Sequence, residues 1–408
     1  MSSLSKRSYT FLPLFLVLVI DAMGMGLILP VLTVLFLDPT TNMVAANTSL
    51  LLRNFLYGSA LMSFFLCMFF GAPILGDLSD KYGRKKILLL CLVLTGLSYI
   101  ISAIGIHLES VLLVLVGRSV AGFMAGSMPI AQAAIADISL PDEKAKNLSY
   151  ITLAGCLGFV IGPLVGGYFS QQSLASWFTT QTPFYVAAVL ALLNALGLWL
   201  SFHETFFPQF NLKIKVLKGV ELFLGAFRNP KIRAVSLIFL LFQFAWGLYF
   251  QFVSLYSVQT YHFSALKIGL FMGYIGLIFV FSLLKGIHFY LRFTSVSLTN
   301  HIALIFIGGG ILLNALLPYE WVQWATVFII VTHVGIAYTC QLTLFSNCVD
   351  SGSQGWIMGI SAAVMAVGWV LGGLLTSVVG LLDLRVPFII AGLILLFASF
   401  LAYKLPRS

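Results

Sequence analysis

Twelve apolar runs, most of them about as long as a bilayer is thick, constrain the fold of this 408-residue chain more than any other feature. A helix needs roughly 20 apolar residues to cross the hydrocarbon core. Only helices and closed barrels satisfy their backbone hydrogen bonds there, and these runs are too long for barrel strands. The predicted spans lie near 10–37, 54–76, 86–106, 111–138, 146–170, 182–203, 232–259, 265–287, 297–317, 321–349, 355–381 and 385–403. The sequence therefore predicts an all-α integral membrane protein with twelve transmembrane helices.

Composition supports the same conclusion. Hydrophobic residues make up 60% of the chain and charged residues only 9%, whereas an average soluble domain is about 25% charged. A soluble protein of this length could not bury so much apolar surface. The net charge of +9 does not indicate nucleic acid, because the basic residues lie in short loops and form no continuous face. We expect a small-molecule substrate, protons and membrane lipids as partners, and a monomer.

The basic residues also predict the topology. If both termini are cytoplasmic, eighteen of the 22 Lys and Arg residues lie on the inner side. Three, Arg53, Lys267 and Arg385, lie in outer loops, and Arg118 lies inside a span. This asymmetry follows the positive-inside rule for an inner-membrane protein of the bacterial type.

The longest polar segment divides the spans into two groups of six. We predict an N-terminal six-helix bundle over 1–204, a cytoplasmic linker over 205–231 and a C-terminal six-helix bundle over 232–408. Two such blocks indicate a parallel repeat, with the solute path between the halves.

The loop after the second span carries a specific motif. Its cations fit an ordinary inner loop, but the spacing of Gly76, Asp80, Gly83 and Arg84 does not follow from topology. A glycine in this loop lets two helices approach closely. The segment resembles the signature loop of the major facilitator superfamily, which implies the twelve-helix fold of that family. The resemblance also implies a cytoplasmic charge latch formed by Asp80 and Arg84, with Asp137 as the acidic partner.

The first span contains an acid. A carboxylate at Asp21 costs on the order of 3 kcal/mol or more unless it is paired or hydrated. Gly24 and Gly26 remove side-chain bulk beside it, and Pro30 kinks the helix. A structural hydrogen bond to a neighbouring helix is the alternative to a role in transport. The stretch resembles helix 1 of the tetracycline-type efflux proteins among the drug:proton antiporters, which implies that Asp21 takes part in transport.

The fourth span contains Arg118, which keeps its charge and must meet a carboxylate, a carbonyl or water. The side chain could instead snorkel to the outer interface. Small residues at Gly117, Gly122 and Gly126 favour close helix packing. The segment is similar to the helix-4 motif of the family, which implies a role for Arg118 in proton coupling.

The fifth span is rich in glycine. Gly158, Gly162, Pro163, Gly166 and Gly167 place small residues on one face beside a proline, so another helix packs there closely. This pattern resembles the antiporter motif of proton-driven exporters, and the resemblance favours export over uptake. The overall resemblance to these exporters extends over residues 10–204. It is weaker beyond them, where the second signature loop is degraded at 286–293.

Polar residues inside other spans are candidates for the solute path, although amides more often join helices by hydrogen bonds. The candidates are Gln132, Gln243, Trp246, Gln251, Asn314 and Gln341. His333 is assigned to proton coupling, because an imidazole titrates near neutral pH.

We therefore predict a proton-coupled exporter of a small organic solute, a drug:proton antiporter working by alternating access. The alternatives are a proton symporter that takes up a metabolite or siderophore, and a non-transporting sensor or scaffold. No nucleotide loop, metal cluster or nucleophile–base set is evident, so we predict no cofactor, no metal and no enzymatic activity.

Overall fold

The computed structural model describes residues 3–38, 41–45, 47–138, 144–204, 215–350, 353–379 and 383–405 as an almost entirely helical chain. Eleven helices of this part are long and apolar enough to cross a membrane. The shorter apolar helix Leu153–Phe169 lies in the predicted fifth span. The all-α membrane fold is confirmed, and the helices are consistent with twelve spans.

The described part of the chain contains fifteen α-helices. They are α1 (Ser3–Leu37), α2 (Leu50–Tyr82), α3 (Arg84–His107), α4 (Val111–Met124), α5 (Ser127–Ile138), α6 (Lys144–Phe169), α7 (Thr182–Ser201), α8 (Lys218–Arg228), α9 (Arg233–Tyr261), α10 (Ala265–Phe281), α11 (Ile287–Leu291), α12 (Val296–Leu316), α13 (Glu320–Asn347), α14 (Gln354–Val379) and α15 (Val386–Tyr403). The short helix α8 lies in the predicted linker and is absent from the sequence prediction. Residues 205–214 of that linker lie outside the described residues.

One compact unit comprises Met1–Asn47, Leu66–Lys218 and Ser264–Gly273. In this unit α1 packs along α6 and against α5 and α7, while α3 packs against α4 and α7. Fully buried leucines such as Leu18 and Leu88 form its apolar centre. The helix that carries Asp21 is therefore surrounded by other helices.

The second unit comprises Thr48–Phe65, Gly219–Phe263 and Tyr274–Ser408. Here α9 packs against α14 and α15, and α12 packs against α13 and α15. The two units thus share α2 and α10, because each of these helices is divided between them. The predicted limits of the bundles at 204 and 232 stay a prediction.

The predicted fourth span is one membrane segment whose helix has a break. Its α4 part ends at Met124, and α5 begins at Ser127. Pro129 explains the break, because a proline ring clashes with the carbonyl four residues earlier and has no N–H to donate. The backbone of Ala72 in α2 packs against the break, 2.7 Å from where a Cβ of Gly126 would lie. Ser127, the first residue of α5, lies buried beside the break.

The eighth span is also irregular. A π-helical turn at Ser282–Gly286 separates α10 from α11. The Ser282 hydroxyl donates a hydrogen bond to the carbonyl of Thr332 in α13. Gly335 leaves room for the Ser282 side chain, since a Cβ at Gly335 would overlap its oxygen. Such turns are often found at functional sites.

Candidate functional site

Asp21 is buried within α1, with 7% of its surface exposed. The Ser127 hydroxyl, at the start of α5, donates a hydrogen bond of 2.5 Å to its Oδ2 atom. The break between α4 and α5 is what brings Ser127 to this position. A carboxyl group inside a membrane helix thus has one hydroxyl donor and a protein environment that excludes most water.

The glycine stripe of α6 sets how closely α1 approaches. Gly158, Gly162 and Gly166 are four residues apart and therefore lie on one face of α6. A Cβ on Gly158 would lie 2.5 Å from the Val19 carbonyl oxygen, and one on Gly162 would lie 2.5 Å from the Met23 carbonyl oxygen. A Cβ on Gly166 would overlap the Leu27 carbonyl oxygen. The two backbones are in direct contact, so a side chain on this stripe would displace the helix that carries Asp21.

The other two residues of the antiporter motif make different contacts. Pro163 packs against Gly26 of α1, where a Cβ would lie 2.7 Å from the proline Cδ. Gly167 faces α10 instead, and its Cβ would lie 3.0 Å from the Cα of Gly269. The motif therefore holds α6 against α1 on one side and against the first half of α10 on the other.

Arg118 lies inside the helix packing, with 2% of its surface exposed, and not at the surface as the snorkelling alternative requires. The preceding Gly117 lets α4 approach α3 closely, since its Cβ would lie 2.7 Å from the Ser98 carbonyl oxygen. Arg118 interacts electrostatically with Tyr99 of α3, and Tyr99 interacts in turn with Asp21. Asp21 and Arg118 are thus both buried, and Tyr99 interacts electrostatically with each of them.

Part of the predicted charge latch is present. The Arg84 guanidinium lies 3.0 Å from Oδ2 of Asp137 at the end of α5. Asp80 interacts electrostatically with Arg84. Gly76 does not provide the expected close helix approach, because no described atom lies within 4 Å of its Cβ position. Gly71 provides the close approach instead, because a Cβ on Gly71 would lie 2.8 Å from the Cα of Phe123.

Gly83 of the signature loop is in close contact with Glu204. Gly83 adopts φ +98°, and a Cβ there would overlap the Glu204 carboxylate. That carboxylate accepts hydrogen bonds from the backbone N–H groups of Arg84 at 2.9 Å and Lys85 at 3.1 Å. Glu204 therefore caps the first turn of α3, a role absent from the sequence prediction.

Asp77 is a second contact of the loop that the prediction does not include. Its buried carboxylate pairs with the Lys218 ammonium at the start of α8. It also accepts a hydrogen bond of 3.4 Å from the backbone N–H of Lys215. The signature loop is thereby attached to the linker.

Three solute-path candidates of the second unit come together. The Gln243 side chain accepts a hydrogen bond of 3.1 Å from the Trp369 indole, and Gln251 donates one of 3.1 Å to the Trp369 carbonyl. The ring centroids of Trp246 and Phe250 lie 5.4 Å apart. We call these residues, together with Phe65, whose ring lies 4.7 Å from that of Trp369, the aromatic–amide cluster.

Two of the remaining amides form hydrogen bonds with residues outside this cluster. Asn314 donates a hydrogen bond of 3.1 Å to the Tyr249 hydroxyl, and Gln341 donates one of 2.9 Å to Asn300. Both therefore join helices, as amides in membrane proteins often do. Gln132 is partly buried in α5.

His333 lies in the second unit, in α13. Its Nδ1 atom lies 2.7 Å from the Ile329 carbonyl oxygen, which can only accept, so Nδ1 carries a proton. Its Nε2 atom lies 2.9 Å from the Tyr290 hydroxyl. The ring stacks on Phe306 with centroids 4.5 Å apart. Three helices thus hold this imidazole in one orientation.

Comparison with known proteins agrees with this architecture. The tetracycline resistance protein, class C, of Escherichia coli is 26% identical over 88% of this chain and 87% of its own length. Multidrug resistance protein 2 of Bacillus subtilis (strain 168) is 23% identical over 97% of this chain and 94% of its own length. A crystal structure of a D-xylose–proton symporter matches 100% of this chain and 99% of its own with a TM-score of 0.76 at 17% identity, which shows a shared fold.

A family model also matches most of the chain. The model described as Major Facilitator Superfamily matches residues 14–373, which include the Asp21 site, the glycine stripe and the signature loop. The chain therefore belongs to the Major Facilitator Superfamily.

Proposed function

We propose that the chain is a proton-coupled exporter of a small organic solute. The observation that carries the proposal is the buried Asp21 carboxyl, which meets Ser127 at the break between α4 and α5. An ionised carboxylate inside a membrane is costly, so a change in its hydration changes its proton occupancy. Alternating access supplies such a change, because the site faces water on one side of the membrane and then on the other.

The proposed cycle is an exchange. Asp21 takes up a proton when the cavity is open to the outside and releases it when the cavity is open to the inside. Solute binds from the inside to the site without the proton and leaves to the outside. Arg118 interacts electrostatically with Tyr99, as Asp21 does, and we assign Arg118 to the same coupling site. Inward proton flow then drives solute out.

The relatives support the direction. Both are named as resistance proteins, one against tetracycline and one against many drugs. Outward transport of a toxic compound would provide such resistance. We propose a lipophilic drug-like solute for this chain and assign its contacts to the aromatic–amide cluster, since aromatic rings and a few amides suit an apolar ligand with some polar groups.

The cellular setting follows from the family. The apolar helices and the bacterial relatives make the chain a multi-pass protein of the inner membrane. We propose that it acts as a monomer in contact with lipid, and that the solute crosses without chemical conversion.

Proteoliposomes with a trapped pH-sensitive dye test the proposal. The lumen is made acidic, and a panel of lipophilic drugs beginning with tetracycline is added outside. Exchange predicts that the lumen becomes more alkaline when a substrate enters. With the gradient reversed, acidification of the lumen on adding a metabolite or siderophore would establish uptake instead. No proton flux with any compound would favour the sensor or scaffold.

Asp21→Asn separates proton coupling from solute binding. Asparagine keeps the size of the side chain and an oxygen that accepts from Ser127, but it cannot exchange a proton. We expect the substrate-driven pH change to be lost, while exchange of labelled for unlabelled solute without a gradient persists. Asp383→Asn, in an exposed loop, is the control. Intact pH-driven transport in Asp21→Asn would exclude Asp21 as the coupling residue.

A further inference from the structure

The eighth span ends in a short segment that is separate from the rest of its helix. The π-helical turn Ser282–Gly286 interrupts the span, and α11 follows it with only five residues. Sharp bends in helices are often found at such turns. The α11 segment can therefore bend away from α10 at this turn.

Contacts with α13 hold the turn and α11 in place. The Ser282 hydroxyl donates a hydrogen bond to a backbone carbonyl of α13. A Cβ on Gly286 would lie 3.4 Å from Cδ1 of Ile336. Four residues later, on the same helix face, the Tyr290 hydroxyl lies 2.9 Å from Nε2 of His333. The end of the eighth span thus lies along one stretch of α13.

The contact between Tyr290 and His333 is an uncharged hydrogen bond. Because Nδ1 of His333 donates its proton to the Ile329 carbonyl, Nε2 of the neutral ring accepts from the Tyr290 hydroxyl. The helices α9, α12 and α14, which pack against α13, contain no acidic residue. The acidic residue of α13 itself, Glu320, lies about 20 Å from His333 along the helix axis. No carboxylate on these helices is close enough to stabilise a charged imidazole.

Neighbouring groups from α12 orient both partners of this bond. The Phe306 ring stacks on the imidazole, with ring centroids 4.5 Å apart. The Thr294 hydroxyl, just after α11, donates to the Tyr290 carbonyl at 2.9 Å and lies 2.7 Å from the Thr299 hydroxyl of α12. The bond therefore forms between two side chains whose surroundings are already fixed.

The first signature loop is held differently, by the ion pair between Arg84 and Asp137. Segment 286–293 contains no acidic residue and is held by an uncharged contact instead. Separating a buried ion pair leaves an uncompensated charge, whereas breaking one uncharged hydrogen bond costs much less. The contact of α11 is thus one that can open and re-form.

We propose that Tyr290 and His333 form a releasable latch, which holds α11 against α13 and opens when the inner end of the eighth span moves during transport. The predicted topology places this end at the inner side of the membrane. The opening during transport rests on the proposed function, whereas the latch itself does not. His333 acts as a fixed hydrogen-bond acceptor and carries no transported proton.

Hydrogen exchange of the purified protein, followed by mass spectrometry, tests the latch without transport. Tyr290→Phe keeps the ring but removes the donor, so the backbone amides of α11 should exchange about fivefold faster, the effect of one hydrogen bond. His333→Phe keeps an aromatic ring and removes the acceptor, and adding Tyr290→Phe to it should give no further increase. Tyr319→Phe, at an exposed tyrosine, is the matched control. Unchanged exchange in Tyr290→Phe, or additive increases in the double variant, would overturn the latch.

Crosslinking in the dye-loaded proteoliposomes tests whether the latch opens during transport. The double variant Tyr290→Cys/His333→Cys is treated with a reducible, bifunctional thiol reagent whose length matches the two replaced side chains. We expect the crosslink to abolish the proton flux driven by tetracycline or another panel drug, and a reductant to restore it. The single cysteine variants receive the same treatment as controls, because the five native cysteines also meet the reagent. Full flux in the crosslinked protein would show that the contact does not open.

The outcomes separate this proposal from the proposed function. A wild-type protein without drug-driven proton flux would overturn the proposed function and the opening of the latch, while hydrogen exchange would decide on the latch itself. We expect His333→Phe to retain pH-driven flux. If it lost this flux but still exchanged labelled for unlabelled solute, His333 would be a proton-coupling residue, and its assignment to the latch would be wrong.

Discussion

Gly83 shows how one residue can fix the start of a transmembrane helix. Its φ of +98° and ψ of 147° belong to a region that residues with a side chain rarely enter. The Glu204 carboxylate occupies the space where a side chain would lie. A carboxylate at a helix N-terminus also interacts favourably with the helix dipole. The glycine is therefore required both by its backbone angles and by its neighbour.

Gly83→Ala should destabilise the protein by about 1–3 kcal/mol, the usual cost of a strained backbone residue. The measurement is thermal unfolding of the purified protein in detergent. Gly76→Ala, in the preceding helix α2, is the control, because a Cβ there meets no described atom within 4 Å. Equal melting temperatures for the two variants would contradict this account of the loop.

The sequence predicts charged residues of the site better than neutral ones. Asp21, Arg84 and Asp137 stand out because charges are rare in apolar surroundings. Ser127 and Tyr99 do not, since hydroxyl-bearing residues are common in membrane helices. Their roles depend on packing between helices that are distant in the chain, which spacing within one helix does not reveal.

At the scale of helices, the α1–α6 contact also depends on glycines. Gly162→Ala would place a methyl group against the Met23 carbonyl oxygen and force α1 away from α6. We expect destabilisation by about 1–3 kcal/mol, as for other overpacked sites, and loss of most drug-driven proton flux. Gly155→Ala in the same helix is the control, because no described atom lies within 4 Å of its Cβ position. Normal flux in Gly162→Ala would show that the close contact is dispensable.

The neighbour of each helix and the irregularities within helices are not predicted from the sequence. The glycine spacing of α6 indicates a closely packed neighbour but does not identify it as α1. Pro129 is visible in the sequence, but prolines in membrane helices often only kink them, so Pro129 alone does not predict the break. The π-helical turn at Ser282–Gly286 has no comparable sequence signal, since it depends on the contact with α13.

At the scale of the whole molecule, the linker is attached to the signature loop through Asp77 and Lys218. Asp77→Asn keeps the shape of the side chain but removes the charge, so the start of α8 should detach more often. We expect chymotrypsin to cleave several-fold faster after the exposed Leu217. Asp383→Asn is the control. An unchanged cleavage rate in Asp77→Asn would mean that the ion pair does not hold the linker.

The overall architecture is the part that the sequence predicts most fully. Hydropathy and the distribution of basic residues suffice for an all-α membrane protein, because the bilayer imposes length and polarity on every span. The contact units are less predictable. Both α2 and α10 are divided between units, which the order of helices along the chain does not indicate.

The backbone contacts of α6 have a consequence for how such a protein can evolve. The closest contacts with α1 and α10 involve glycines, main-chain atoms and the Pro163 ring, so they depend on few side chains. Mutations elsewhere in the protein that alter solute selectivity therefore leave this connection between the helix of Asp21 and α10 intact. Selectivity and energy coupling can diversify independently, and a lineage can acquire new solutes while it keeps the same proton-driven mechanism.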